Sequence, residues 1–110
     1  MGLKDGELLP GTLDLLILLA VESGPAHGYS IMEAIWSRSG ELFRAEEGAL
    51  YPALHRLQLQ GWLAAEWGVS ETRRKAKYYR LTRAGHKQLA KERARWERLA
   101  LGMSRVLAPE

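Results

Sequence analysis

Apolar positions along the chain recur in two different periods, and the switch between them separates helices from strands. From Leu13 to Val21 only Asp14 is polar, so the first predicted helix is apolar nearly all round. Thr12 reads as its N-cap, Asp14 sits favourably in the first turn, and Gly24-Pro25 stops it. A single small domain does not cover one helix on every side, so a second subunit is expected to cover part of it. The next helix is predicted from about Gly28 to Ser39, with Ile31, Met32, Ile35 and Trp36 as its stripe and Gly40 as its end. Residues 41–46, anchored by Leu42 and Phe43, lead into a third helix that starts near Gly48 and ends near Gln60-Gly61. Leu50, Leu54 and Leu57, with Ala53 beside them, form its inner stripe. Its outer face carries Gly48, Pro52, His55, Arg56 and Leu59, flanked by Ala49 and Tyr51, where a helix that only covers a core would show Glu and Lys. Pro52 is compatible with that helix within its first turn.

Period two takes over at Trp62. Leu63, Ala65 and Trp67 alternate with Trp62, Ala64 and Glu66, and over residues 76–81 Lys77, Tyr79 and Leu81 alternate with Ala76, Tyr78 and Arg80. With the polar loop 68–75 between them, these form a two-stranded hairpin that must lean on the helices through its aromatic residues. Thr82 then caps a last helix reaching about Leu107. Leu89, Trp96, Leu99, Ala100, Met103, Val106 and Leu107 follow a spacing near 3.5, with Arg93 standing where another apolar residue is expected. No later element is left to cover this stripe, which therefore reads as a dimer seam, or else packs on its own subunit. Residues 1–10 read as a short arm.

Charge changes this picture more than composition does. The net charge of +3 is ordinary, but residues 1–55 hold three Lys/Arg against eight Asp/Glu, while residues 56–110 hold thirteen against five. Arg73, Arg74, Lys75, Lys77, Arg80 and Arg83 form a window without an acid, the electrostatic footprint of polyanion binding. At 110 residues the chain is one domain with a modest core. It has no cysteine, which removes disulfides, zinc ribbons and thiol nucleophiles and fits a cytoplasmic location. The longest apolar run is too short to cross a bilayer, so no membrane partner is expected. His27, His55 and His86 fall on different elements, and neither a phosphate loop nor a Ser/His/Asp order stands out, so no metal, cofactor or enzymatic activity is expected.

The fold class that follows is mainly α with a small β-hairpin: a winged helix-turn-helix over 1–81, its wing at about 62–81, and a C-terminal dimerisation helix over 82–110 in the same compact unit. Several runs resemble the PadR family of bacterial transcriptional regulators: Gly24-Pro25-Ala26-His27-Gly28-Tyr29, Gly48-Ala49-Leu50-Tyr51-Pro52-Ala53-Leu54-His55-Arg56-Leu57, Gly61-Trp62-Leu63, and Arg73-Arg74-Lys75-Ala76-Lys77-Tyr78-Tyr79-Arg80-Leu81-Thr82 with Gly85 after it. Residues 64–71 and 94–99 look like the acidobacterial-type branch. Leu59 and Gln58 depart from the family's usual residues. The resemblance implies a homodimeric repressor on a double-stranded DNA operator, roughly palindromic, held together by its first and last helices, with nearby transporter genes as frequent targets in that branch.

Carried over residue by residue, Tyr51, Pro52, His55 and Arg56 are the groove candidates, with Arg56 open to a guanine edge or a phosphate. His55 and Tyr51 are equally open to supporting their own fold. Arg73, Arg74, Lys75 and Lys77 are expected to meet phosphates or the minor groove, and Arg83 a phosphate at a helix N-terminus. Leu13, Leu16, Ile17, Leu89, Trp96, Leu99, Met103 and Val106 are the expected dimer interface. Trp96 is either part of the seam or the lining of a gap for a small lipophilic or phenolic effector, since PadR-like relatives respond to such compounds. The alternative functions are a winged-helix module for protein–protein association, which does not require a cationic wing, and an RNA-binding domain, for which no open pair of stacking aromatics is apparent.

Overall fold

The computed structural model describes residues 3–4 and 11–110. The predicted arm at residues 1–10 lies outside them except for Leu3–Lys4. Among the described residues the order is β1 (Leu3–Lys4), α1 (Thr12–Ala20), β2 (Ala26–His27), α2 (Gly28–Arg38), β3 (Phe43–Arg44), α3 (Glu47–Leu59), β4 (Leu63–Val69), β5 (Lys75–Leu81) and α4 (Arg83–Leu107). This is a winged helix-turn-helix arrangement continued by a long C-terminal helix.

The core is one cluster in which Ile17 and Leu18 of α1, Ile31 and Ile35 of α2, Leu50, Leu54 and Leu57 of α3, Leu63 of β4, Tyr79 and Leu81 of β5 and Leu89 of α4 meet. Helix α1 packs against α2, α3 and α4. That corrects the expectation that a second subunit must cover Ile17 and Leu89, because Ile17 is 0 % exposed and Leu89 2 % exposed within their own chain. Leu13, Leu16, Leu19 and Ala20 remain half-covered. Between α1 and α2 lies an apolar groove of about 220 Å³, at whose edge the Arg38 guanidinium donates to the Leu19 carbonyl over 3.2 Å.

The hairpin is part of a larger sheet. Residues Ala26 and His27 pair antiparallel with Tyr79 and Tyr78, so the sheet has three strands in the order β2-β5-β4. Strands β4 and β5 also run closer to the tip than the alternation suggested, with Gly68 opposite Ala76 and Val69 opposite Lys75. Strand β1 pairs in parallel with β3 inside what the sequence presented as a linker, where Ala45 is buried and Leu42, a predicted anchor, is exposed. Two-residue strands carry no period of their own, which is why β1, β2 and β3 leave no mark on the hydrophobic pattern.

Helix ends follow local chemistry with two departures. The Thr82 hydroxyl accepts from the Gly85 amide at 3.0 Å and caps α4 as its sequence predicts. Helix α1 instead begins after Gly11 in a left-handed conformation (φ 85°), and Thr12 is its first residue rather than its cap. In α3 the N-cap is Glu46, so Pro52 lies in the second turn rather than the first. The amide that Pro52 lacks would have met the Gly48 carbonyl; Gly48 is exposed, so solvent can serve that carbonyl instead.

The junction of α3, β4 and α4 is tight. Thr82 donates from its amide to the Trp62 carbonyl at 3.1 Å and from its hydroxyl to the Gly61 carbonyl at 2.6 Å. A Cβ on Gly85 would stand 2.0 Å from that Trp62 carbonyl oxygen, a backbone atom unable to swing aside. Gly85→Ala is therefore expected to destabilise by about 1–3 kcal/mol through overpacking. Gly48→Ala, whose Cβ would meet nothing within 4 Å in a helix, should instead stabilise by roughly 0.5–1 kcal/mol. Urea and thermal unfolding of the two variants checks the pair; equal effects at both sites would refute the close-approach argument.

Candidate nucleic-acid interface

Helix α3 is positioned by its inner stripe: Leu50, Ala53, Leu54 and Leu57 are all buried. Fixing that side leaves the other bare, and Tyr51, Pro52, His55, Arg56 and Leu59 are exposed there, Leu59 at 74 %. The sequence expectation for this face thus matches the geometry. Each flank is held by a contact with another helix.

On one flank the Tyr51 ring lies over the start of α2, where a Cβ on Gly28 would come within 2.5 Å of its hydroxyl oxygen. Gly28 is buried, so only a residue without a side chain lets the ring approach. Tyr51 therefore braces α3 against α2, one of the two roles the sequence left open, while 44 % of it stays exposed. On the other flank the Arg56 guanidinium donates to the Asp14 carboxylate of α1 at 2.5 Å, with both side chains partly exposed. In the sequence Asp14 shows only as a helix-dipole residue. The two residues stand 42 positions apart, beyond the reach of any local pattern.

His27 closes the start of α2: its ring accepts from the Ser30 amide at 3.3 Å and stands edge-on to Tyr78 with centroids 5.3 Å apart. His55 on α3 and His86 on α4 are exposed on other elements, and the three histidines are not brought together.

The sheet carries a second surface continuous with the first. Its inner face holds Leu63, Ala65, Trp67 and Val69 of β4 opposite Leu81, Tyr79, Lys77 and Lys75 of β5. Tyr79 is buried, and burial followed by the neighbouring Tyr51 hydroxyl pushes its pKa above the ordinary tyrosine value. From Tyr79 outward the residues become polar or exposed: the Lys77 ammonium stands 5.9 Å from the Tyr79 ring centre, and the Lys75 ammonium 5.2 Å from that of Trp67. The α3 face and the wing thus adjoin where Tyr51 neighbours the buried Tyr79, with Lys77 next along the strand.

At the tip, the Ser70 amide donates to the Arg74 carbonyl and the Arg73 amide to the Ser70 carbonyl, each at 2.8 Å. This closes a three-residue loop in which Arg73 takes a left-handed conformation (φ 61°), a place usually filled by Gly. Arg73, Arg74 and Lys75 are exposed together there. Arg83 is not with them: as the first residue of α4 it sits at the base of β5, on the far side of the sheet's length from the tip.

The predicted interface residues of α4 divide after Leu89. Trp96, Leu99, Met103 and Val106 are exposed, Val106 at 85 %, together with Leu107 and with Leu101, which the spacing argument did not include. Trp96 and Leu99 border a cleft of about 70 Å³ against Thr12 and Leu15 of α1. The apolar gap in the stripe at Arg93 has a cause: its guanidinium pairs with Glu22 at 2.6 Å, and that pairing raises its pKa.

Comparison with known proteins bears on this arrangement. The model of the transcriptional regulator PadR-like family matches residues 16–91. A transcriptional regulator of Mycobacterium tuberculosis is 37 % identical over 86 residues, covering 78 % of this chain and 77 % of that protein. Among solved structures, a transcriptional regulator from Clostridium thermocellum is similar with a TM-score of 0.78 at 30 % identity, covering 89 % of this chain and 95 % of the other. A PadR family regulator from Eggerthella lenta gives a TM-score of 0.73 at 34 % identity over 91 % and 85 % of the two chains.

Asp14 places a negative charge at the edge of the α3 face, directly on Arg56. Asp14→Ala should lower stability by about 1 kcal/mol or less, the range for an exposed ion pair plus a first-turn acid. It should also tighten binding to random-sequence duplex DNA and steepen the slope of log K against log salt by up to about 0.9, because Arg56 becomes free. Anisotropy titrations at several salt concentrations measure both. Weaker binding in the variant would mean instead that Asp14 aims Arg56 at the duplex.

Proposed function

This chain belongs to the transcriptional regulator PadR-like family, and from that membership we propose that it is a homodimeric repressor binding a roughly palindromic duplex operator. The family is one of transcriptional regulators and not of enzymes, and no helix among the described residues is long and apolar enough to cross a membrane. The observation that carries the reading is the bare face of α3 adjoining the basic wing at Tyr51 and Tyr79. Residues 1–81 serve as the DNA-binding part and 82–110 as the dimerisation helix.

In this reading the α3 face enters the major groove. Pro52 and His55 lie centrally on it, and Arg56 at its edge meets a phosphate, as most protein–DNA hydrogen bonds do. Arg73, Arg74, Lys75 and Lys77 neutralise backbone charge beside it, and Arg83 contributes separately from the base of the sheet. Leu13, Leu16, Trp96, Leu99, Met103 and Val106 meet a second subunit. Trp96 is a seam residue first; a flat lipophilic effector would need space from both subunits, because the cleft beside Trp96 in one chain is about 70 Å³, well under an ordinary ligand pocket.

Two expected results test this. A duplex selected from a random pool should bind with a steep salt dependence, and Arg73→Gly should weaken it and flatten the slope by about 0.9. The same change should raise unfolding stability by about 1 kcal/mol, because Gly relieves the left-handed backbone. Unchanged binding would remove Arg73 from the site, and lower stability would refute the strain at its left-handed backbone. For the dimer, Leu99→Asp with Met103→Asp should convert a dimer to a folded monomer by sedimentation, since each buried Leu or Met is worth about 1.5–3 kcal/mol and counts twice across a two-fold axis. A wild-type chain that sediments as a monomer overturns the homodimer.

A further inference from the structure

The wing holds an aromatic residue that the cationic reading does not use. Trp67 is 61 % exposed and its neighbour on the same face, Val69, 70 % exposed. Both belong to the inner face of the sheet, the face that buries Leu63, Tyr79 and Leu81 nearer the base. Strand alternation continues past the point where helices lie beneath it, so the face keeps its apolar residues but loses its cover. An exposed tryptophan at the end of a two-stranded ribbon gives the fold little.

Its surroundings state what would cover it. Trp67 is directly opposite Lys77 and Val69 opposite Lys75, whose ammonium lies over the Trp67 ring, and Arg73 and Arg74 follow at the tip. The acids nearby are Glu66, on the outer face, and Glu71, in the tip turn. An apolar partner protein would leave these cations without counter-charges. A polyanion with an apolar wall would satisfy both, and the sugar–phosphate edge of a duplex groove offers phosphates about a ring's width from deoxyribose carbons.

We propose that Trp67, framed by Lys75 and Lys77, is a contact residue that packs on deoxyribose in the minor groove flanking the site read by α3. The inference rests on the DNA-binding reading above and adds to it a component of affinity that salt does not screen. The cations hold phosphates on either side of the ring and fix the wing's depth, so the ring senses groove width rather than base identity. Removing it therefore weakens all duplexes, and weakens those with a narrow A-tract flank by a different factor from those with a mixed flank.

The test uses the full chain and a duplex recovered by selection from a random pool, in versions differing only in flank sequence. Trp67→Ala, an exposed change that should leave the Tm in place, is expected to lower affinity by roughly tenfold, within the range for an aromatic–nucleotide contact, with the salt slope unchanged. Lys75→Ala should do the opposite, flattening the slope by about 0.9. Quenching of tryptophan emission on duplex addition should largely vanish in Trp67→Phe while binding persists. Wild-type affinity for Trp67→Ala, or a flattened slope in that variant, overturns the ring contact and leaves the operator reading intact. So does a shift in self-association without DNA, which would assign the patch to a second copy. Failure of the wild-type chain to bind any duplex overturns the reading itself.

Discussion

Everything in this fold depends on α1 being covered from three directions at once. Its residues are apolar on nearly every side, and α2, α3 and α4 each pack on one of them. Ile17 and Leu18 are consequently among the most buried side chains in the chain. Because α3 is held between this helix and the sheet, its outer face is presented rigidly, and the positions of Pro52 and His55 are set by Leu50, Leu54 and Leu57 behind them. A site built this way inherits its precision from packing and not from its own contacts.

Charge pairs fasten both ends of that central helix. Asp14 near its start holds Arg56 of α3, and Glu22 beyond its end holds Arg93 of α4. Pairs as exposed as these contribute little to stability. Their effect is on where a long side chain points. Arg56 is turned toward α1 rather than straight outward, and Arg93 occupies a seam position with a partner of its own. The two acids thereby engage Arg56 and Arg93, while Arg73, Arg74 and Lys75 stay exposed at the tip.

The parts legible in the sequence were those with a repeated pattern. The inner stripe of α3, the alternation of β4 and β5 and the Thr82 cap each follow from local spacing, and the winged arrangement follows from their order. Short elements and long-range pairs were not legible. Strand β2 is two residues long, and its place beside β5 depends on His27 and Tyr78 meeting across the sheet. Arg93 and Glu22 are 71 positions apart, so Arg93 could register only as a fault in the stripe. The all-round apolar α1 suggests a partner because sequence shows how much surface a helix must bury, not how many neighbours it has. Pro52 was placed by the rule for prolines in first turns, whereas an exposed Gly48 four residues earlier permits it one turn deeper.

The C-terminal helix poses the remaining energetic question. At 25 residues it is about 37 Å long by its rise per residue, more than the 32 Å second dimension of the whole molecule. Only its first part, ending near Leu89, has core beneath it. Beyond that, Trp96 and Leu99 border α1 only along a narrow cleft, and Met103, Val106 and Leu107 recur on the same side and are exposed, an apolar stripe larger than single exposed residues on a monomer's surface. Helices without tertiary packing are marginal in water, so the ordered second half of α4 calls for a partner surface. In the homodimer proposed above, two copies related by a two-fold axis supply one, each stripe facing the other. Since the start of the same helix is locked to α1 and, through Thr82, to the Trp62 carbonyl, in that proposed dimer any shift along the seam would move the α3 faces with it, and the spacing of two half-sites would be a property of how these two helices pack.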